Sequence, residues 1–382
     1  MDLDARLLDR CHINKNDEGD RFVGIKADSE NAMVYFPVGY QLPETDQEIR
    51  RDILHLISVL AEFTDKSDRV LAMKKFEAPQ SVDFPINAYM EVINYYLEQN
   101  SYYTEKEPVF KTSDRGSIDW AKTIRKQRPL IQADGSPVYT EYTVRVSSPN
   151  DKNLITQIHK YCVYESFQKI GWLFTPDLPP KPTIEKNTKM FLSVLNDKLA
   201  RTNNDKDKRL FAAMIAVLQY IDEQTNLKQF YFGTDSFEYV WEKLIDRVYG
   251  IKDKYRYFPR TRWYLKGKVK ENFALEPDSI MLYNGKIYVL DAKYYRYGIT
   301  GNPMHLPESS SINKQITYGE YIYTQERFKR EYGEDVPVYN AFLMPYNSAK
   351  NVFGFDSIYG NIGEARGEWK SGNHDYERVQ GI

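Results

Sequence analysis

The sequence predicts a mixed α/β protein of the α+β kind, and three observations carry that prediction. Short β-rich runs alternate with amphipathic helical segments through the first hundred residues. Two apolar runs flank Asn284-Gly285, the strongest two-residue hairpin signal. The last third then reads helix, strand, strand, helix, strand, the order of an α/β unit around a small mixed sheet.

In chain order, Phe22 to Ile25 and Met33 to Phe36 read as short strands, the second closed by Pro37-Val38-Gly39-Tyr40. Thr45-Asp46-Gln47-Glu48 is a capping-box signature, and the helix it opens keeps Ile49, Ile53, Leu56, Ile57 and Leu60 at helical spacing. A second helix runs from about Ile86 to Leu97 and is followed by the polar stretch Glu98 to Glu107. Next come the turn Asp134-Gly135-Ser136-Pro137, an alternating strand over Val138 to Val146 and a long helix from Asn153 to Ile170. The Pro-rich connector Thr175 to Pro182 is too stiff to be helical. Helices over Ile184 to Ala200 and Asp205 to Glu223 are separated by Thr202-Asn203-Asn204. A helix over Phe237 to Val248 presents Phe237, Val240, Trp241, Leu244, Ile245 and Val248 on one face. Strands over Ser279 to Tyr283 and Lys286 to Leu290, a helix from Ile312 to Tyr332 and a strand from Val336 to Met344 complete the pattern.

Composition narrows the function. In 382 residues, 52 Lys plus Arg balance 54 Asp plus Glu for a net charge of -2, so nucleic-acid binding requires a local patch rather than a basic coat. Cys11 and Cys162 are too few for a disulfide framework or a four-cysteine zinc site. The opening MDLDARLLDR carries acids where a secretory leader needs bases. The longest apolar run, Leu210 to Leu218, falls short of the ~18 residues that span a bilayer. A cytoplasmic protein without a membrane partner is expected. The 31 Tyr, 19 Phe and 5 Trp are read mainly as core packing. His12, His55, His159, His305 and His374 are scattered singly, which argues against a histidine-metal site.

Chemistry concentrates at the hairpin. Counting outward from Asn284-Gly285 puts Tyr283 opposite Lys286, Met281 opposite Tyr288 and therefore Asp278 opposite Asp291. In that register the two carboxylates have Cβ atoms about 4.5 to 5.5 Å apart. Lys293, two residues beyond Asp291, projects from the same sheet face. Facing like charges destabilise a strand pair unless a cation lies between them. Mg²⁺ suits two aspartates and a strand-end carbonyl with several retained waters, and a nearby ammonium can position or deprotonate a bound water. The spacing therefore points to metal-assisted phosphodiester hydrolysis; the bland alternative is an exposed, charge-decorated hairpin.

Glu276-Pro277-Asp278 with Asp291-Ala292-Lys293-Tyr294-Tyr295 resembles the PD-(D/E)XK nuclease core, with Asp as the second acid and a twelve-residue gap. That resemblance implies a restriction-endonuclease-like fold for the last domain, catalytic Asp278, Asp291 and Lys293, and metal ligation by Asp278, Asp291 and the Ala292 carbonyl. It also implies an acid on the preceding helix, where Phe237-Glu238-Tyr239-Val240-Trp241-Glu242 offers two. The aromatic-Glu pattern favours Glu242, as does the capping-box-like pairing of Glu238 with Asp235; wheel position favours Glu238. Glu242 is preferred as catalytic and metal-binding. Downstream, Gln315-Ile316-Thr317-Tyr318 resembles the Gln-x-x-Tyr element that some such nucleases place beside the metal, which adds Gln315 and Tyr318 to the expected site.

Between Lys252 and Lys270 stand eight cations with Asp253 the only acid, interleaved with Tyr255, Tyr257, Phe258, Trp263 and Tyr264. Within this run Arg256, Arg260, Arg262, Lys266, Lys268 and Lys270 form a candidate DNA-backbone path, against the alternative of a solvated loop.

The chain as a whole resembles the LlaJI-type restriction endonuclease family, relatives of the McrC nuclease subunit. The resemblance spans roughly Phe22 to Tyr346 and includes Phe22-Val23-Gly24-Ile25-Lys26, Val34 to Tyr40, Arg50 to Leu54 and Gly116 to Ile124. It implies an Mg²⁺-dependent nuclease acting on double-stranded DNA together with a McrB-like AAA+ GTPase and a companion DNA methyltransferase. The chain itself carries no P-loop, because Gly267-Lys268 is followed by Val269 and Gly285-Lys286 by Ile287. Three domains are expected: 1–110 for partner docking or DNA recognition, 111–235 as a largely helical connection, and 236–382 as the nuclease. A stand-alone type II enzyme and a non-catalytic DNA-binding or assembly subunit are the competing readings.

Overall fold

The computed structural model describes residues 6–27, 32–63, 84–150, 152–175, 177–223, 230–350, 352–355 and 357–382. The first five residues of the opening and Pro176 of the connector lie outside them. The chain forms mixed α/β structure with several small sheets and divides into two compact units, Met1–Val82 with Gln229–Ile382, and Asp83–Lys228. The first and last stretches fall in one unit because a strand near residue 230 pairs with one near residue 25.

The first unit opens with β1 (Cys11–Ile13), β2 (Val23–Ala27) and β3 (Ala32–Phe36), followed by α1 (Asp46–Phe63). Thr45 caps the helix as half of the expected box: its Oγ1 accepts the Glu48 N–H at 3.3 Å, and the same hydroxyl donates to Glu48 Oε2 at 2.7 Å. Ile49, Ile53, Leu56, Ile57 and Leu60 are all buried.

The second unit holds α2 (Ile86–Gln99), β4 (Lys106–Thr112), β5 (Ser117–Ile118), α3 (Trp120–Lys126), β6 (Leu130–Ile131), β7 (Pro137–Val138), β8 (Thr143–Pro149), α4 (Leu154–Ile170), α5 (Thr188–Arg201) and α6 (Asp205–Glu223). The strand expected over Val138 to Val146 is two strands, since β7 pairs with β6 while β8 pairs with β4 and β5. α5 starts four residues later than Ile184, at a cap where the Asn187 side chain accepts the Met190 N–H at 3.1 Å. In α4, His159 is fully buried, and its Nδ1 accepts the Tyr103 N–H at 2.9 Å.

The chain then returns to the first unit through β9 (Phe230–Thr234), which pairs antiparallel with β2 to complete a sheet of order β1-β3-β2-β9. Gly24 and Gly233 face each other in this ladder; a Cβ on Gly24, whose φ is +142°, would sit 2.1 Å from the Phe232 carbonyl oxygen. Tyr294 adds a second tie, its hydroxyl accepting the Val38 N–H at 2.7 Å.

After α7 (Phe237–Tyr249) come β10 (Arg260–Leu265), β11 (Lys268–Ala274), β12 (Ser279–Tyr283), β13 (Lys286–Ala292), α8 (Ser309–Thr324), α9 (Glu326–Tyr332), β14 (Val338–Leu343), β15 (Gly363–Arg366) and β16 (Arg378–Gly381). β12 to β16 form a five-stranded sheet of order β12-β13-β14-β16-β15, with β13, β14 and β16 parallel and antiparallel strands at both edges. Asn284 and Gly285 both take positive φ, 48° and 71°, as a two-residue hairpin turn with this twist demands. Ile280, Ile287, Val289 and Val338 pack with Tyr318, Ile322 and Phe328 in one buried cluster, which seats α8 and α9 on the sheet. The helix expected over Ile312 to Tyr332 is broken at Gln325, whose ψ of 121° is extended.

Candidate active site

The hairpin register is the one counted from its turn: Tyr283 pairs with Lys286, Met281 with Tyr288, and the ladder ends at Ser279 opposite Leu290. Asp278 and Asp291 are therefore the next residues on the two strands. Alternation along β13 puts Asp291 on the face of Ile287 and Val289, the face packed under α8. The Ala292 N–H donates to Asp278 Oδ2 at 2.8 Å.

Burial and then the negative charges of Asp291 and Glu242 push the Asp278 carboxyl well above the usual carboxylate range. Its hydrogen bond to Asp291 acts in the same direction, and the Ala292 amide opposes them. Lys293 Nζ lies 2.5 Å from Asp291 Oδ2, with side-chain exposures of 19% and 15%. Burial alone would lower Lys293; the charge of Asp291, its hydrogen bond and the charge of Asp278 outweigh burial and raise it, so the ammonium keeps its proton. Tyr318 is buried, and its hydroxyl is pushed up to about 12 by that burial and by Asp291, Asp278 and Glu276.

These residues form one constellation. Glu242, half-buried on α7, is among the charges that act on Asp278, and Glu238 on the same helix is exposed. The charge of Glu242 felt at Asp278 supports the preference for Glu242 over Glu238. The N-cap of α7 is Ser236 with no side-chain cap, so Asp235 and Glu238 make no capping box. Gln315 is buried and donates from Nε2 to the Val289 carbonyl at 2.6 Å, two residues before Asp291, while its Oε1 has no partner.

Among the described residues no cluster of three His, Cys, Asp or Glu side chains has the geometry of a metal cage. The Asp278–Asp291 pair nevertheless fits a hard divalent cation. Strand register forces two carboxyls into contact, the negative charge of Asp291 helps to push Asp278 above its ordinary range, and a divalent cation would relieve that repulsion; Mg²⁺ needs only one or two carboxylates because it keeps most of its waters. The Ala292 carbonyl, next along β13, and Glu242, which acts on Asp278, are further oxygen donors for such a cation.

The basic run is not a loop. Arg260 and Arg262 lie on β10, Lys266 in the turn, and Lys268 and Lys270 on β11 of a two-stranded ribbon. Arg262 lies 2.7 Å and Arg260 3.9 Å from Glu271, and Arg256 pairs with Glu331. Cross-strand pairing sets Trp263 with Lys270 and Leu265 with Lys268, on the opposite face from Arg262 and Glu271. Lys254, counted as part of the run, points inward instead, and Arg327 with Tyr321, from the α8–α9 junction, joins Arg260 and Arg262 around one cleft. No short-range sequence signal marks Arg327, which is 65 positions beyond Arg262.

None of the described helices is long and apolar enough to cross a membrane. No curated protein matches the chain. A chain in a structure of Thermococcus gammatolerans McrB AAA+ hexamers with bound McrC aligns over 95% of this chain and 77% of its own length, at 15% identity and a TM-score of 0.36. A chain in a cryo-EM structure of the Thermococcus gammatolerans McrBC complex aligns over 60% and 65%, at 18% identity and a TM-score of 0.24. The family model for the LlaJI restriction endonuclease matches residues 22–362, nearly the whole of the two units described above, and the chain belongs to that family.

Proposed function

We infer that this chain is the DNA-cutting subunit of a restriction system, an Mg²⁺-dependent phosphodiester hydrolase whose last third is a PD-(D/E)XK-like core. The observation that carries the reading is the buried contact of Asp278 with Asp291 at the end of a hairpin, with Lys293 Nζ 2.5 Å from Asp291. Membership of a restriction endonuclease family supports it.

Asp278, Asp291, the Ala292 carbonyl and Glu242 would hold the cation, which when bound supplies Lewis acidity and a more acidic water. The protein's own part is electrostatic and positional. Lys293, held protonated, presents an ammonium to a phosphoryl oxygen and offsets charge developing there. Tyr318 keeps its hydroxyl proton and can donate a hydrogen bond beside the carboxylates. Gln315 pins α8 to β13 and so holds Tyr318 and Asp291 at a constant separation.

The partner follows from the absence of a P-loop in a chain that resembles McrC: nucleotide hydrolysis belongs to a McrB-like AAA+ GTPase, with a DNA methyltransferase protecting the host's own sites. Incubating the purified chain with unmodified double-stranded DNA and Mg²⁺, with and without that GTPase and GTP, tests the reading. Cleavage that requires the GTPase is expected. Efficient site-specific cleavage by the chain alone would favour a stand-alone type II enzyme, and absence of cleavage in every mixture would favour a non-catalytic subunit.

A further inference from the structure

The β10–β11 ribbon is exposed on both faces along most of its length, an arrangement that leaves an isolated hairpin with little packing of its own. Its register sorts the side chains into two unlike sets. Arg262 with Glu271 and Tyr264 with Val269 share one face, while the lysines of β11 and Trp263 share the other. The arginine face forms one wall of a cleft of about 710 Å³, and the junction of α8 with α9 contributes to the opposite wall through Tyr321 and Arg327.

Every cation lining this cleft is an arginine: Arg256, Arg260, Arg262 and Arg327. Among the described residues Glu271 and Glu331 pair with them, while Arg327 donates to the Tyr321 hydroxyl at 3.0 Å and to the Arg256 carbonyl. The cleft therefore keeps a positive charge for an anionic occupant. Tyr255 and Tyr264 stand among the arginines at 63% and 78% exposure.

The rings decide which polyanion fits. A duplex offers such a cleft its phosphates but keeps its base faces stacked away, leaving exposed rings against a wet backbone. A single strand offers a π-face beside each phosphate, and alternating arginines and tyrosines complement that pattern. Two stretches of chain link the cleft to the carboxylate pair. Ala274, the last residue of β11, precedes Asp278 by four positions, and Tyr321 lies one helical turn beyond Tyr318.

We propose that the cleft holds a single-stranded stretch of the polynucleotide beside the carboxylate pair, with bases on Tyr255 and Tyr264 and phosphates on Arg260, Arg262 and Arg327. The proposal rests on the nuclease reading above for its purpose, but its test does not require cleavage.

The full chain is titrated in chelator against an end-labelled oligothymidylate, read by fluorescence anisotropy, with an unlabelled duplex of equal length as competitor. The expected result is oligothymidylate binding that the duplex displaces poorly. Tyr255→Ala and Tyr264→Ala should each weaken it on the order of tenfold without changing its salt dependence. Arg262→Gln and Arg327→Gln should each flatten the slope of log affinity against log salt. Trp263→Ala, on the other ribbon face, should bind as the parent does, and thermal unfolding of each variant checks that the fold is intact. Failure to bind oligothymidylate, tyrosine variants that bind like the parent, or preference for the duplex would each overturn the proposal. A chain that fails here yet cuts DNA refutes the cleft and leaves the nuclease reading standing; one that binds through the cleft but never cuts refutes only the latter.

Discussion

Lys254 donates from Nζ to the main-chain carbonyl of Asp278 at 2.7 Å, and the same ammonium meets Asp246 Oδ2 at 2.6 Å. A residue that looks like one more cation of a DNA-contacting run is thus a strut between α7 and the first residue of the candidate active site. Lys254→Met removes the strut while keeping most of the stem's packing. It should raise the Mg²⁺ concentration needed for half-maximal cleavage, because the carbonyl it holds belongs to a proposed metal ligand. A purely structural role would lower the thermal midpoint and leave the Mg²⁺ dependence of the folded fraction unchanged.

Asp278→Ala, Asp291→Ala and Lys293→Ala should each reduce DNA cleavage by on the order of a hundredfold or more, the scale for loss of a preorganised charge at a reacting centre. Affinity for DNA in chelator should stay near that of the parent. Near-parental cleavage by the Asp291 variant in a gel assay would remove the hairpin from the mechanism.

Glu242→Gln and Glu238→Gln separate the two acids of α7. Glu242 is among the charges that act on Asp278, so the Glu242 variant should shift the Mg²⁺ titration of cleavage more than the Glu238 variant does. The opposite order would transfer the helix acid to Glu238.

His159 gives the second unit an acid-sensitive element. Burial pushes this imidazole down to about 3 from its ordinary 6.5, so the fold binds it neutral while the unfolded chain binds the proton. The stability it lends is whole above pH 6.5 and declines as pH falls toward 3, by about 1.4 kcal/mol for each pH unit. Thermal unfolding between pH 7 and pH 4 should show that loss. His159→Gln should blunt the acid response while lowering stability at pH 7, since the Tyr103 N–H is satisfied by the ring nitrogen at 2.9 Å.

Gly24→Ala should destabilise the first unit by ~2 kcal/mol or more, measured by chemical denaturation, because the added Cβ meets the Phe232 carbonyl of β9 and the residue's φ is +142°. A fully stable variant would show that the β2–β9 pairing is dispensable.

What the sequence determined by itself was everything set within a few residues of a strong local signal. Asn284-Gly285 permits a single two-residue turn, and with the period-2 alternation of its flanks it settles the register, hence the opposition of Asp278 and Asp291. Thr45 and Glu48 mark the start of α1, and apolar spacing fixes the extent of α7, for the same reason: cap and helix face are properties of one turn or one window. Tertiary structure decided the rest. The pairing of β9 with β2 joins segments some two hundred positions apart, and no window contains both. The facing of Lys254, of Gln315 and of the ribbon's arginines depends on which neighbours an element meets once packed, as does the arrival of Arg327 in their cleft. Local backbone preference specifies a strand or a helix, but the choice between solvent, core and cleft for a long polar side chain is made by long-range packing and desolvation, which composition and spacing do not record.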